Sequence, residues 1–400
     1  MGFKFGIIFL SLFIPICLSA QKTNWSNIPT DSLKDLTEVV MKIFHKDLKA
    51  EKVKRKQHTV QIGLFPAIGY TLQTGFAAVV STNAVFYRRD QKTEDSSNSS
   101  TVRLSISYSQ KNQIIVPLKS TLFFNKSRTI LISDWRYLKY PTYTYVLGMY
   151  AGPQDSTLLN YQYFKIQSSV LFQVHPHVYI GGGYILDYFW NIQQVYQQQT
   201  KSDFQNYGSG PTSLSSGITL NVRFDTRDNP VNAYSGIYTN IILAPRFKFL
   251  GSHINWTSLI LDFRTYIRFP ARSSNILALW SYSWFTLSGK PPYLMLPTTG
   301  WDFSTGRGYI EGRFRSNNML DSEAEYRVQL TRNGLLGMVA FVNFQSFSNI
   351  DTWQFPAIAP GGGLGVRLKV NKYSRTNVDI DYGWGRQGSH GFFVNFAEVF

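Results

Sequence analysis

The residues best placed to do chemistry in this chain surround a cation. Arg307 stands between Gly306 and Gly308, with Tyr309 next, inside a long connection. Glycine on both sides lets the backbone turn tightly and approach a wall closely. A guanidinium held there needs acceptors, and its planar fork suits carboxylates. Asp379 and Asp381 lie two apart on an alternating segment, so they point the same way and are the expected partners if the connection folds back on them. Such a pair organises structure and carries no reaction. His175 and His177 flank Pro176 without cysteine or carboxylate beside them, so no metal is expected. No Gly-x-Ser-x-Gly elbow or phosphate-cradling glycine loop occurs between a strand and a helix. The chain reads as a protein with neither catalysis nor cofactor.

The elements that must position Arg307 are strands. From Leu320 to Leu330 the chain alternates without a break, with Leu320, Ser322, Ala324, Tyr326, Val328 and Leu330 on one face and Asp321, Glu323, Glu325, Arg327 and Gln329 on the other. Leu364, Val366, Leu368 and Val370 oppose Arg367 and Lys369 in the same manner, and Val378, Ile380, Tyr382 and Trp384 oppose Asp379 and Asp381. One face always meets something apolar and the other meets water or charge, as in a barrel wall with lipid outside and a wet lumen. About 16 such segments follow one another from 59 to 400, the first about 59–65 and stopped by Pro66, the last 391–400. Alternate connections are mostly short, and the others include long ones at about 138–158, 192–212, 288–317 and 348–359; the polar link 90–100 breaks that pattern. Trp135, Tyr137, Trp190, Trp280, Trp284 and Trp384 fall at segment ends, where interfacial aromatic girdles belong. The fold expected is all-β, a transmembrane antiparallel barrel of about 16 strands with a short N-terminal helix.

Residues 1–20 carry one cation, Lys4, then an apolar run over 7–18 and Ser19-Ala20, the layout of a cleaved signal peptide. The chain's only cysteine, Cys17, lies inside it, so the exported part has no disulfide. The formal charge is +16, and removing residues 1–20 leaves +15. Those cations are scattered over many segments, which argues against nucleic acid and for contact with lipid head groups and lumen carboxylates. Residues 21–58 form a separate segment: Leu33, Leu36, Val39, Val40, Ile43, Phe44 and Leu48 recur at helical spacing after the start signal Pro29-Thr30-Asp31-Ser32, and a basic run ends it. The organisation is thus 1–20 signal, 21–58 periplasmic helical segment and 59–400 barrel.

Four patterns in order carry a resemblance. Asp225-Thr226-Arg227-Asp228-Asn229-Pro230 is followed by Gly236; Arg307-Gly308-Tyr309 lies in the longest connection; Gly361 to Arg367 leads to Asp379-Ile380-Asp381-Tyr382; and the chain given ends in the aromatic segment Gly391 to Phe400. Together they resemble the barrel of the BamA/TamA superfamily, the bacterial surface antigen family of outer-membrane assembly and secretion factors. The resemblance implies an integral outer-membrane protein whose partners are outer-membrane lipids, unfolded outer-membrane protein clients and periplasmic partner proteins. It implies an inward contact from Arg307, with Asp381 matching the family's carboxylate better than Asp379. Two departures stand out. The family carries POTRA domains ahead of its barrel, whereas about 38 residues separate the expected signal from the first strand here, too few for one domain. Glu398 occupies a position where the family has an apolar side chain.

Two functional classes follow. The first is an assembly or translocation factor acting through a seam between the first strand, with Gln61, and the last, with Gly391, Phe396 and Phe400. The second is a passive pore or a structural subunit of an outer-membrane complex. The motif with Asp225, Arg227, Asp228, Pro230 and Gly236 is explained as turn-forming structure.

Overall fold

The structure, a computed structural model, describes residues 33–36, 38–39, 61–86, 100–152, 155–195, 203–208, 210–271, 273–302, 305–372, 375–396 and 398–400. The expected signal peptide and most of the link 90–100 lie outside the described residues. Among the described residues alternation gives seventeen strands: β1 (Gln61–Thr71), β2 (Gly75–Phe86), β3 (Ser100–Ser109), β4 (Ile114–Phe124), β5 (Thr129–Lys139), β6 (Thr142–Tyr145), β7 (Ser156–His175), β8 (Val178–Gln194), β9 (Ser213–Asp225), β10 (Gly236–Arg246), β11 (Trp256–Arg268), β12 (Ile276–Gly289), β13 (Met319–Gln329), β14 (Leu336–Phe347), β15 (Ala359–Asn371), β16 (Thr376–Trp384) and β17 (His390–Phe396).

Sixteen of them build the wall. Each pairs antiparallel with the next, and β5 pairs directly with β7. The sequence shows no signal for β6, a four-residue strand against the first residues of β7, because its Tyr-Thr alternation is too short to stand out from a loop. With sixteen wall strands, Gln61 and Phe396 lie at the same end of the barrel, together with the turns 176–177, 269–275, 330–335 and 372–375; the long connections 195–212, 290–318 and 348–358 lie at the other.

The registers sort the side chains. Glu323 faces Asn343 across β13 and β14, Gly365 faces Asp381, and Arg367 faces Asp379, so the charged rows share the inner side. Ile106, Leu220, Leu364, Val366 and Ile380 point outward and are about half exposed. An apolar exterior around a charged interior is stable only where lipid replaces water outside. No helix among the described residues is long and apolar enough to cross a membrane, so any crossing is by strands.

Several expectations need correcting. β1 does not stop at Pro66 but runs through it, Pro66 pairing with Val80, up to Thr71. A strand with one partner tolerates the missing N–H that would break a central strand. The last strand stops at Phe396, short of the expected 400. Trp280 is 3% exposed and lies with Trp284 on the lumen face, against Trp301, outside any lipid-facing girdle. The helical segment begins later than the Pro29 to Ser32 signal: residues 33–35 are not helical, Leu36 is, and the Asp35 carboxylate accepts the Glu38 N–H at 3.0 Å as its cap.

That segment seats on the turns at the Gln61 end. Lys34 N–H donates to the Asn333 carbonyl (2.9 Å), the Asp35 carboxylate accepts the Lys372 N–H (3.2 Å), and Lys372 Nζ reaches Glu38 at 2.5 Å. Each contact contributes on the order of 1 kcal/mol, little against sixteen strand ladders. Deleting residues 24–56 is therefore expected to leave the heat-modifiable folded band on gels intact while making the peptide bond after Lys372 newly sensitive to trypsin.

Candidate functional site

The connection 290–318 enters the lumen, and glycines with positive φ make its bends: Gly300 (74°), Gly306 (66°), Gly308 (103°) and Gly312 (78°). Gly308 is required by space as well, since a Cβ there would lie 2.6 Å from the Trp384 carbonyl oxygen. The bend delivers Arg307 to the wall with its side chain fully buried. Its Nη1 donates to Asp381 Oδ2 at 2.7 Å, and its Nη2 donates to Glu325 Oε1 at 2.5 Å and Glu323 Oε2 at 3.2 Å. The guanidinium lies 3.8 Å from the Phe341 ring centre. The backbone is fixed too: Gly306 N–H donates to Glu323 Oε1 (2.8 Å), and the Arg307 carbonyl accepts from Asn343 Nδ2 (2.9 Å).

Each principal carboxylate then bridges to a second arginine. Asp381 also accepts from Arg367 Nη1 at 2.5 Å, and Glu325 from Arg327 Nε at 2.8 Å. Asp379 does not meet Arg307; its Oδ1 lies 3.2 Å from Arg367 Nε without hydrogen-bond geometry. Glu323 and Glu325 were visible in the sequence as an inward acidic row, but nothing in the sequence tied that row to Arg307. Tyr309 locks the other side of the motif, its hydroxyl donating to the Pro360 carbonyl (2.5 Å) and accepting the Arg386 N–H (2.8 Å).

The remaining sequence-derived residues separate into other places. Asp225 takes Arg227 bidentately at 3.0 and 2.8 Å; Asp228 accepts the N–H groups of Tyr234 and Ser235 and binds Arg375 at 2.6 Å. The Pro230 carbonyl lies 3.5 Å from Arg227 Nη1, and Gly236 has φ 108°. These contacts close a turn and brace it against its neighbour. At the seam, a Cβ on Gly391 would meet the Leu72 side chain and one on Gly69 would lie 3.4 Å from the Val394 carbonyl, so β17 lies beside the Thr71 end of β1. Gln61 is at the opposite end of that strand, and Phe396 is the last residue of β17. Phe400 is not in the seam: it is buried in the lumen beside Trp280, with ring centres 5.2 Å apart. Among the described residues no group of His, Cys, Asp or Glu could hold a metal ion.

No family model and no curated protein sequence matches the chain. Solved structures do. BamA from Haemophilus ducreyi lacking POTRA domains 1–3 superposes with a TM-score of 0.53 at 14% identity, over 85% of this chain and 69% of that one. CdiB from Acinetobacter baumannii gives 0.51 at 12%, over 85% and 66%. CdiB from Escherichia coli gives 0.54 at 9%, over 84% and 67%. The fold is that of the BamA and CdiB barrels. At such identities the likeness is one of architecture alone. The contacts of Arg307 join a loop from one end of the barrel to β13, β14 and β16.

Removing Arg307 leaves three buried carboxylates short of a partner, whereas removing Asp381 leaves Arg307 with two. Arg307→Ala is expected to cost on the order of 3–5 kcal/mol, less where lumen water reaches, and Asp381→Ala less than that. The double variant should cost less than the sum, read from heat-modifiability midpoints; strict additivity would rule out a direct pairing.

The same loop carries Glu311, whose Oε2 accepts from the Tyr140 hydroxyl at 2.5 Å. Burial pushes its carboxyl up to about 7, against the opposing pull of that hydrogen bond and of Arg315 and Arg136. A carboxyl whose folded value exceeds its unfolded 4.5 holds a proton more tightly when folded. Its stabilisation is therefore complete below about 4.5 and lost as pH rises through about 7, to a total of about 3 kcal/mol at most. The unfolding midpoint should fall between pH 5 and pH 8, and Glu311→Gln should flatten that part of the profile.

Proposed function

We propose that this protein is an integral outer-membrane barrel that assists the insertion, assembly or translocation of other proteins through the seam between β1 and β17. The observation that carries the reading is the seam itself. Every other neighbouring pair of wall strands has a residue-by-residue ladder, while among the described residues none joins β17 to β1. β17 has seven residues against eleven in β1, and it lies beside the part of β1 around Gly69, with Gly391 against Leu72 just past the strand's end. Unpaired N–H and C=O groups are costly at a lipid-facing edge, so the free part of β1 has a strong tendency to accept another strand. An extended segment of an unfolded outer-membrane protein client supplies that backbone by β-augmentation. The likeness to BamA and CdiB barrels supports the same reading, as does the apolar exterior, which suits outer-membrane lipid. The alternative of a passive pore is disfavoured by the loop 290–318, which fills the lumen around Arg307.

Depleting the protein and measuring the abundance of other outer-membrane proteins tests the role. Locking the seam tests the route: Gly69→Cys paired in turn with Phe393→Cys and Asn395→Cys, the inward positions of β17 on either side of Val394, should crosslink on oxidation for one of the two pairs and abolish the rescue that reduced protein provides. Locked protein that rescues fully would favour the passive or structural subunit.

A further inference from the structure

One lumen cation is left without counter-charge. Arg103 on β3 lies directly opposite Lys119 on β4, and its neighbour on β2 is Asn83, so two cations stand side by side with no carboxylate between them. Like charges placed opposite one another destabilise a ladder. Lys119 has an answer in Asp302, at 3.3 Å, which also takes Arg136 at 3.2 Å, and Asp134 takes Arg136 and Lys165 at 2.8 and 3.0 Å. Arg103 has none, with neither an ion pair nor a hydrogen bond to any described residue. Positions 303 and 304 of the loop beside it are Phe and Ser and bring no charge. The carboxylate of Glu311 on the same loop is taken by the Tyr140 hydroxyl.

Arg103 opens onto a cavity of about 300 Å³ bounded by β1 to β4, β17 and the loop 290–318. That volume is at the lower end for small-molecule sites and holds on the order of ten waters. Two further groups on its wall lack partners. Thr305 is 3% exposed with no hydrogen bond to its hydroxyl, and Asn395 Nδ2 is buried in the same state. An amide nitrogen only donates and a hydroxyl can donate, so with the guanidinium three donors face one space. Water satisfies the two neutral groups but leaves the charge of Arg103 unanswered, whereas an oxyanion answers all three. Val79, Ile115 and Phe393 make another part of the same wall apolar.

We propose that this cavity binds a small organic anion, a carboxylate or phosphate carried on an apolar body, through Arg103, Thr305 and Asn395. The volume is too small for a lipid, so the ligand is a soluble molecule. Nothing in this assignment depends on the seam between β1 and β17.

The full chain, folded in detergent, is titrated calorimetrically with phenyl phosphate and with phenylacetate, and the tighter of the two identifies the head group. Inorganic phosphate, which leaves the apolar wall unfilled, should bind at least tenfold more weakly than phenyl phosphate, and uncharged benzyl alcohol should not compete. Arg103→Gln should weaken both organic probes at least tenfold, while Lys139→Gln, which removes an exposed cation outside the cavity, should leave them unchanged. Thr305→Val should weaken phenyl phosphate several-fold. Without any probe, the heat-modifiability midpoint of Arg103→Gln should be no lower than that of the wild type, because the substitution relieves the Arg103–Lys119 pair. A lower midpoint, or failure to fold, would mean that Arg103 braces the wall and would overturn the site. So would no saturable binding of either organic probe, binding that survives Arg103→Gln intact, or equal affinity for inorganic and phenyl phosphate.

Discussion

A buried guanidinium cannot be left without counter-charge, and the interior of this barrel is organised around that constraint at Arg307. Three carboxylates on two strands converge on one side chain, and each of the two nearest is shared with a further arginine. The wall has been thinned to admit the loop. A Cβ at Gly365 would fall 1.7 Å from Asp381 Oδ1, and one at Gly383 would fall 2.7 Å from the Gly308 nitrogen. Absence of side chains on β15 and β16 and presence of charge on β13 and β16 are two halves of one adaptation: the first makes room and the second makes the room favourable.

The barrel is correspondingly uneven around its circumference. From β12 to β17 the inner face is an ionic network bounded by aromatic rings, with Phe341, Tyr309 and Phe314 packed about the loop. Past the β1–β17 join the inner faces of β2 and β3 carry small hydroxyls such as the Ser81–Ser105 pair at 2.8 Å, and the charged cluster Asp134, Arg136 and Lys165 lies beyond them. The weak join between β1 and β17 lies where the heavily braced arc meets the lightly braced one.

Much of this was legible before the structure. Uninterrupted alternation from Leu320 to Leu330 is enough to put Asp321, Glu323 and Glu325 on one face, and glycine flanks are enough to mark Arg307 as a residue that approaches a wall. What a single sequence does not contain is register: which carboxylate lies at the depth of Arg307 depends on the stagger of β13 against β14 and of β15 against β16, a property of several ladders at once. Pro66 misled because a proline's cost depends on whether its strand has one neighbour or two. Phe396 to Phe400 misled because the apolar run looks like a strand until Glu398 is weighed against the arginines waiting in the lumen.

The wiring of the Arg307 network also sets an order of events. Asp381 and Glu325 are on β16 and β13, fifty-six positions apart in the chain, and they come within reach of one side chain only once β14 and β15 are in register between them. The loop precedes all four strands in sequence yet has nowhere to settle until they have assembled. Until then Arg307 belongs to water. The Arg307 contacts therefore require the four strands that follow the loop to be paired first, and settling of the loop is expected to be a late step of folding.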